Sequence, residues 1–505
     1  MILVGSPRGL RPLILPFGLV AIALVLVALY HGVVDSEGLL ERLLMINSGR
    51  PNHVAAQEDR RPTNTHAPPK YKPTPTLVAP SVTDPFPLLA KSTAALPPIP
   101  QYNVPRHGLH REYGLSYAPP IFIGYTRMWP MLLQCVVSYL TAGWPPESIF
   151  IVENTGVQDS NAEGRLSLQN PFYLNYGSLR RLGVNIIQTP VLLTFSQMQN
   201  FFLSTARARG WPYYFYSHQD VLVFSFEDGP DTTQRPGDRD WFFYDEQDEI
   251  DLRPVAAGQP GYRSFYENCL YELNQTLGRE ERWAFRWFQY DHLTLVNRAA
   301  LEAVGGWDSL IPYYGSDCDL NARLEMDGWT MRHRRVGIIN DVSTVMEDLL
   351  GLYRDPNVTP RFVDPNPIES AEAEEKEPAK EVQSDSTKED DQDDRNNEVT
   401  EKRDERAKGH RELAYFRELV SLVDDMGAYK YRNENKNRNS WQNSQHGGAG
   451  EPYFYDGNGF STAFWILAEA GREIFRQKWG HQDCDLVKDT ALKLEDQWRV
   501  EKDWE

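Results

Sequence analysis

The chain has 505 residues, of which 41% are hydrophobic and 12% aromatic, enough for two or three domains with a sizeable core. Its formal net charge of −19 argues against nucleic acid as a partner, because polyphosphate backbones are bound by basic surfaces. Residues 366–410 carry 16 acidic and 8 basic side chains, and such a charged, aromatic-poor run is typical of a disordered linker or a solvated helix.

The N-terminal region contains an uncharged stretch of 18 residues, 13–30, which is long enough to span a thin bilayer. Arg8 and Arg11 precede it, so the positive-inside rule predicts a cytosolic tail at 1–12, a transmembrane signal anchor at 13–34 and a lumenal remainder. A cleaved signal peptide is the alternative, although no convincing small-residue cleavage site follows. Residues 35–118 form a Pro-rich region that predicts an extended stem.

Residues 119–365 alternate apolar strands with helical patterns, which predicts an α/β domain with a mainly parallel sheet and flanking helices. Residues 239–287 have no clear period and predict an insertion with one or two helices. Ligands of open parallel sheets bind beyond the carboxyl ends of the strands, where Glu153, Asn154 and Asp220 lie. Strands are predicted at 121–124, 148–154, 184–187 and 213–217, helices at 131–140 and 195–209, and a strand followed by a helix at 293–306.

The acidic linker at 366–410 is followed by a predicted helical extension at 411–505. Its helices are expected at 411–429 and 461–479, with Gly480 ending the second. The second helix has an aromatic face that needs a partner, so the extension is expected to pack back on the α/β domain. The chain has four cysteines, which allow up to two disulfides of open pairing: Cys135, Cys269, Cys318 and Cys484.

Two acidic centres stand out in the α/β region. Asp220 lies in the aromatic run 213–224, where a carboxylate needs a physical reason. Asp317 and Asp319 lie about a hundred residues later, where a loop runs into a helix. Ordinary N-capping of that helix explains one of these two acids well and both poorly. The sequence therefore predicts that the acids form a site.

Several segments occur in a defined order along the chain: 120–127 (PIFIGYTR), 149–156 (IFIVENTG), 195–200 (FSQMQN), 213–223 (YYFYSHQDVLV), and 305–308 (GGWD) followed by 315–320 (GSDCDL). Together they resemble the motifs of GT-A fold glycosyltransferases, above all the family 2-like branch and Golgi type II membrane enzymes of fungal type. The resemblance covers less than half of the chain. It implies a Rossmann-like GT-A fold for the catalytic domain at 119–365.

The resemblance implies a site for a nucleotide sugar near the strand ends. For Arg127, Glu153 and Asn154 an ordinary surface role is the alternative, and for Trp307 core packing is the more frequent fate. The implied contacts to the nucleotide sugar are Tyr125, Arg127, Glu153, Asn154, Asp220 and Trp307.

A metal site is also implied by the resemblance. Asp220 stands at the end of the family's Asp-x-Asp motif, but His218 replaces the first Asp. Asp220 and His218 are therefore the implied ligands of Mn²⁺ or Mg²⁺, which would offset the charge of a diphosphate. Because His218 departs from the pattern, a weakened or absent metal requirement is possible, and His218 as a simple strand cap is the alternative.

The general base of the reaction is implied to be Asp317, which would deprotonate the acceptor hydroxyl in an inverting transfer. Ser316 stands where the family carries Glu, and Asp319 is expected to orient the helix start. Asp319, Ser316 and Asp291 are the implied acceptor-side or orienting residues.

The predicted function is therefore sugar transfer from a nucleotide sugar, most readily a UDP-sugar, to a glycan on a glycoprotein or a cell-wall polysaccharide. The enzyme would be a single-pass Golgi membrane protein with a lumenal catalytic domain. A non-catalytic lumenal subunit that binds glycans or acts as a scaffold is the alternative. His218 and Ser316 suggest it, because they stand at two positions where the family carries acid.

Overall fold

The computed structural model describes residues 68–71, 73, 81–229, 254–364, 396–435, 447–448, 450–452 and 457–504. The chain divides into two compact units, Met1–Thr76 and Leu77–Glu505, and every described helix and strand belongs to the second. No helix within these described ranges is long and apolar enough to cross a membrane. The predicted tail at 1–12, the anchor at 13–34 and the first part of the acidic linker, 366–395, lie outside them.

The described strands are, in chain order, β1 Ile121–Tyr125, β2 Ile149–Glu153, β3 Asn185–Gln188, β4 Tyr213–Ser217, β5 Val221–Phe224, β6 Trp283–Phe288, β7 Leu293–Asn297, β8 Thr330–His333 and β9 Ile338–Asp341. Seven of these form one sheet in the order β3-β2-β1-β4-β7-β6-β8, while β5 and β9 form a separate antiparallel ribbon. Only β7 runs antiparallel to its neighbours in the large sheet. The predicted mainly parallel, Rossmann-like α/β sheet is therefore confirmed.

The longer helices are α1 Trp129–Thr141, α2 Phe195–Ala208, α3 Phe265–Leu277, α4 Arg298–Val304, α5 Ser316–Met326, α6 Asn396–Asn435 and α7 Gly457–Trp479. Local sequence explains several helix ends. Helix α2 begins with a capping box formed by Thr194 and Gln197, and α7 is followed by Gly480, whose φ of 63° suits glycine. Shorter helical turns are Pro87–Ala90, Gln101–Asn103, Leu109–Glu112, Pro146–Ser148, Gln158–Ala162, Tyr176–Arg181, Tyr290–His292, Leu349–Tyr353, Leu486–Asp489 and Leu494–Asp496.

Both faces of the central strands of the large sheet are buried, in agreement with their nearly continuous apolar sequence. Along β1, Ile121 and Ile123 face one hydrophobic cluster and Phe122 faces another, which is the alternation that a strand imposes. Helices α1 and α3 contribute to the first cluster, and α2, α4 and α5 cover the second. The ends of the strands are therefore held by packing on both sides.

The last part of the predicted stem packs on the α/β domain. Phe86 and Leu89 are buried in the first cluster, and Asn103 donates to the Thr141 carbonyl oxygen at 2.8 Å. The structure thus differs over residues 81–118 from the extended stem predicted at 35–118. The physical reason is that a few large apolar side chains, buried together, can outweigh the entropy lost by ordering a Pro-rich chain.

The described part of the C-terminal extension is largely helical and packs on the α/β domain. Helix α6 begins at Asn396, inside the predicted linker, and buries Phe416 and Val420 in the first cluster. Helix α7 buries Phe475 and Trp479 in a separate cluster with residues of and before α5. A disulfide joins Cys318 of α5 to Cys484, while Cys135 and Cys269 are free and buried.

Candidate functional site

The strand order reverses between β1 and β4, and we call the space beyond the carboxyl ends of these two strands the crevice. From β1 the chain moves outward to β2 and β3, and it returns to β4 on the other side of β1. In doubly wound sheets this reversal of strand order is the point where ligands bind, beyond the carboxyl ends. β1 leads into residues 126–127 at this point, and β4 leads into residues 218–220.

Gln219 links these two strand ends. Its Nε2 donates to the Arg127 carbonyl oxygen at 2.6 Å, and its Oε1 accepts from the Thr126 amide at 3.3 Å. Because β7 is antiparallel to β4, it begins at the same edge, with Leu293 opposite Ser217. The turn Tyr290–His292, which precedes β7, therefore lies beside the crevice.

This turn contacts the candidate general base. The Tyr290 hydroxyl donates to Asp317 Oδ2 at 2.9 Å, and the Oδ2 of Asp291 lies 3.5 Å from His218 Nε2. Gln289 and Tyr290 have φ values of 57° and 55°, in the left-handed region that costs a residue other than glycine about 1–3 kcal/mol. Strain of this size persists only where the surroundings fix it, and here the strained backbone directs the Tyr290 hydroxyl to Asp317.

Asp317 has surroundings that suit acid–base chemistry. Burial raises the pKa of its carboxyl above the ordinary value, and the neighbouring Asp291 carboxylate raises it further. The hydrogen bond from Tyr290 acts in the opposite direction and lowers this pKa. The side chain keeps partial access to solvent. A carboxylate with a raised pKa is a stronger base and can accept a proton from a bound hydroxyl group.

Asp220 is connected to the same turn through a second group of charges. The Lys430 Nζ of helix α6 lies 2.8 Å from Asp220 Oδ2 and also contacts Asp341 Oδ1. The Oδ2 of Asp341 lies 3.4 Å from His292 Nε2. We call Asp220, Asp341, His292 and Lys430 the lysine cluster. It joins the end of β4, the end of β9, the turn and the C-terminal extension.

The charges of the lysine cluster compensate one another. Burial lowers the pKa of Lys430, but Asp220 and Asp341 outweigh this effect and raise it overall. Burial likewise lowers the pKa of His292, and the Asp341 carboxylate more than offsets the loss. Burial raises the pKa of Asp341, but His292 and Lys430 bring it well below the ordinary value. Two buried carboxylates thus face one ammonium and one imidazole that readily takes a proton.

Glu153 is the last residue of β2 and Asn154 follows it, at the strand end where both are predicted, but their side chains are bound within the protein. Glu153 is fully buried and accepts hydrogen bonds from Asn161 Nδ2 at 2.8 Å and from the Tyr176 hydroxyl. Asn154 donates to the Leu193 carbonyl oxygen at 2.8 Å and accepts from the Leu193 amide at 2.7 Å. These hydrogen bonds tie the end of β2 to neighbouring segments of the protein. Contact of Glu153 and Asn154 with a nucleotide stays a prediction.

The remaining predicted donor contacts also have partners in the protein. Tyr125 is buried and its hydroxyl donates to a backbone carbonyl oxygen. The Arg127 guanidinium carbon lies 4.3 Å from the ring centroid of Phe460, a residue of α7. Trp307 is 5% exposed and packs edge-on against Phe195 in the second cluster. Trp307 therefore has the contacts of a core residue.

Asp319 and Ser316 hold the start of helix α5, which carries the candidate base. Asp319 is fully buried and accepts hydrogen bonds from Arg323 Nε at 2.9 Å and Trp479 Nε1 at 3.0 Å. The Lys478 Nζ lies 2.6 Å from its Oδ1. The Ser316 hydroxyl donates to a backbone carbonyl oxygen. The contacts of Asp319 are those of a residue that orients the helix.

The arrangement around Asp220 does not fit a divalent cation. One of its two carboxylate oxygens, Oδ2, already lies 2.8 Å from the ammonium of Lys430. His218, the other implied ligand, has its Nε2 3.5 Å from Asp291. Over the ranges that the structure describes, no group of three or more His, Cys, Asp and Glu side chains is arranged to hold a metal ion. Metal binding at Asp220 therefore stays a prediction, and the positive charge of Lys430 beside Asp220 opposes it.

Sequence reasoning does not identify four residues of the site, which are Tyr290, His292, Asp341 and Lys430. A local signal exists for the first two, because the polar run YDH directly precedes the apolar strand LTLVN. Asp341 gives a similar signal at the end of an apolar segment. Lys430 gives none, because it lies in a polar helix end and meets Asp220 across a separation of 210 positions.

No protein-family model matches the chain, and no curated protein matches it. One similar solved structure is a mannosyltransferase from Pyrobaculum calidifontis in complex with GDP-mannose and Mn²⁺, with 9% identity, a TM-score of 0.27, and coverage of 45% of this chain and 60% of that one. Another is a cytidylyltransferase from Leptospira borgpetersenii, with 8% identity, a TM-score of 0.24, and coverage of 44% and 76% respectively. Likeness at these TM-scores carries no argument about this chain.

Proposed function

We propose that this chain is a glycosyltransferase that moves a sugar from a nucleotide-sugar donor, a UDP-sugar, to a hydroxyl group of a glycan. The acceptor glycan belongs to a glycoprotein or a cell-wall polysaccharide. The observation that carries the proposal is the Asp317 carboxyl, which is hydrogen-bonded by Tyr290 and has a raised pKa beside the crevice of a Rossmann-like sheet.

Asp317 acts in this proposal as the general base of a single displacement. The acceptor oxygen attacks the anomeric carbon of the donor sugar, and its proton passes to the Asp317 carboxylate. The bond from the anomeric carbon to the diphosphate oxygen breaks, and the diphosphate leaves with the electron pair. The configuration of the anomeric carbon inverts because attack and departure occur on opposite faces.

The proposal includes a compartment. Residues 13–34 would anchor the chain in the Golgi membrane with the catalytic domain in the lumen. The disulfide between Cys318 and Cys484 supports an oxidising compartment of this kind. Protease treatment of sealed membranes tests it: a tag at the N-terminus should be digested and a tag at the C-terminus protected, while the reverse result contradicts the proposed topology.

The catalytic part of the proposal is tested by nucleotide release from a panel of UDP- and GDP-sugars, measured with the purified full chain and candidate glycan acceptors. Asp317→Asn should lower the turnover number by about 10²–10⁴-fold, the usual contribution of a general base. Asp489→Asn is the matched control, because Asp489 is exposed on the short helix Leu486–Asp489 of the C-terminal extension. Equal rates for both variants would contradict the role of Asp317.

The second candidate function is a non-catalytic lumenal subunit that binds glycans or acts as a scaffold. It is favoured by two carboxylates that already have partners within the protein. Asp220 forms a buried ion pair with Lys430, and Glu153 accepts a hydrogen bond from Asn161. Under this alternative, no donor gives nucleotide release above background, while a glycan array detects binding that Asp317→Asn leaves unchanged.

A further inference from the structure

Lys430 lies where a divalent cation is expected. Its ammonium contacts one oxygen of Asp220 and one of Asp341, and its side chain is 3% exposed. Asp220 directly precedes β5 and Asp341 ends β9, the strand that pairs with β5, and both carboxylates contact the single nitrogen atom. Bridging two carboxylates from separate elements is the geometric task that a metal ion performs in many nucleotide sites.

A divalent cation and this ammonium exclude each other. A Mg²⁺ ion bound to Asp220 Oδ2 would lie about 2.1 Å from that oxygen, and therefore within about 5 Å of Lys430 Nζ. Their repulsion in a buried site would be strong, since water cannot screen it. Removal of the ammonium instead would leave two buried carboxylates without adequate compensation. The lysine cluster therefore holds either the ammonium or a metal ion, and the structure has the ammonium.

We propose that Lys430 is the resident cation of this site, supplied by the C-terminal extension, and that the protein binds its ligand without a divalent metal at Asp220. The effect on nucleotide binding rests on the proposed function, whereas the exclusion of metal from Asp220 is a property of the chain alone. Lys430 is in this proposal a positioning residue: it fixes Asp220 and Asp341 beside the crevice.

Hydrogen bonds around the cluster support a fixed position for Lys430. The neighbouring Tyr431 hydroxyl donates to Asp341 Oδ2 at 2.6 Å, so two successive residues of α6 bind the same carboxylate. On the other side of the cluster, the Asp220 carbonyl oxygen accepts from the Val342 amide at 2.9 Å and fixes the backbone of β9 beside it. The carboxylates that hold the ammonium of Lys430 are thus themselves fixed by further hydrogen bonds.

The test of the metal part uses the full chain and MnCl₂ in the millimolar range, with melting temperature and isothermal titration calorimetry as measurements. The unmodified protein should show no Mn²⁺-dependent rise in melting temperature. Lys430→Met should melt several degrees lower in EDTA and regain stability with Mn²⁺, because the two carboxylates then accept an ion. Lys488→Met is the control, since the Lys488 side chain is 78% exposed.

If Lys430→Met fails to fold, Mn²⁺ binding is compared between the unmodified protein and the single variant Asp220→Asn. Mn²⁺ binding to the unmodified protein that disappears in Asp220→Asn would overturn the proposal. Mn²⁺ binding that Asp220→Asn leaves intact belongs to another site and is compatible with it. A folded Lys430→Met variant with unchanged stability and no gain of Mn²⁺ binding would also overturn it.

Nucleotide binding gives a separate measurement. UDP should bind the unmodified protein with the same Kd in EDTA and in Mn²⁺. For Lys430→Met the Kd in EDTA should rise about tenfold or more and recover with Mn²⁺, because Asp220 and Asp341 lose their fixed position beside the crevice when no cation lies between them. If UDP binds neither protein while the metal results hold, the proposed function is wrong and the assignment of Lys430 stands.

Discussion

Among the single residues of the site, Asp317 is the candidate base, and Tyr290 and Asp291 are the two neighbouring side chains that set its pKa. Tyr290 donates to the carboxylate and lowers its pKa, while burial and the Asp291 charge raise it. The raised pKa results from the balance of these effects. Tyr290 and Asp291 are adjacent in one strained turn. Removal of the Tyr290 hydroxyl should therefore raise the pKa of Asp317, and removal of the Asp291 charge should lower it.

A pH profile of kcat/KM tests this balance. The base must be deprotonated, so activity should rise with pH through the pKa of Asp317, with a midpoint above the ordinary value of 3.8. Asp291→Asn should move the midpoint to lower pH, because it removes a negative charge that raises the pKa of Asp317. Tyr290→Phe should move it to higher pH, because it removes a donor that stabilises the carboxylate.

A purely structural role for these residues predicts a different result. Loss of folding would lower activity at every pH and would leave the midpoint unchanged. Shifts of equal sign in Asp291→Asn and Tyr290→Phe would contradict the assignment of the base. The melting temperature of each variant should be measured at the same pH values, so that loss of folded protein is separated from loss of basicity.

Sequence patterns predict part of the site at this scale. Asp317 and Asp220 could be singled out because each interrupts or follows an apolar pattern that does not by itself require an acid. The strong enclosure of Glu153 could not be predicted, because its partner Tyr176 belongs to a short helix with no distinctive signal. Whether a carboxylate is available to a ligand depends on side-chain contacts, which strand periodicity does not specify.

At the scale of elements, helix α5 connects the site to the C-terminal extension. Its first turn carries Asp319, which is paired with Arg323 on the same helix and with Lys478 on α7. Lys478 also pairs with Asp308, in the loop before α5, at 2.7 Å. The disulfide from Cys318 to Cys484 closes a separation of 166 residues at the same helix. The position of Asp317 therefore depends on contacts made by the C-terminal extension.

Lys478→Met should be strongly destabilising. Removal of the Lys478 ammonium leaves Asp319 with Arg323 as the remaining charged partner, and the loss of one charge-assisted contact in this buried network should cost about 1.5–3 kcal/mol. Arg476→Met, two residues away on the same helix, removes an exposed pair with Glu473 and should leave the free energy of unfolding nearly unchanged. Urea unfolding curves measure both free energies. Similar losses for the two variants would mean that the Asp319 pair contributes no more than a surface pair.

The elements themselves were largely predictable. Strand β4 has the predicted bounds, and α2 differs from its prediction by one residue at its C-terminal end, because a continuous aromatic run defines the strand and a capping box defines the start of the helix. The division of the run 213–224 into β4 and β5 was less clear from the pattern. Asp220 lies between these strands, and β5 leaves the large sheet to pair with β9. Such a change of partner depends on long-range pairing.

At the scale of the whole molecule, the C-terminal extension completes the α/β domain. Phe416 packs against Phe224 of β5, and Arg417 lies 3.3 Å from Asp228. Two lysines of the extension, Lys430 and Lys478, neutralise acids of the α/β domain. Periodicity predicts a helical extension, but the pair of Lys430 with Asp220 and the pair of Lys478 with Asp308 link positions 210 and 170 residues apart in the chain. No local pattern specifies which buried acid a distant lysine will meet.

A chain that ends at Asp364 should therefore fail to form a stable α/β domain. Truncation leaves Asp220, Asp319 and Asp341 without their lysine partners and exposes the apolar surface that α6 and α7 cover. We expect aggregated or partly unfolded protein, measured by soluble yield, size-exclusion chromatography and near-ultraviolet circular dichroism. The full chain with Cys318→Ser and Cys484→Ser is the control for the lost disulfide, and it should fold with a lower melting temperature. If the truncated chain folds with the melting temperature of this control, the extension contributes nothing beyond the disulfide, and the buried lysines do not hold the site together.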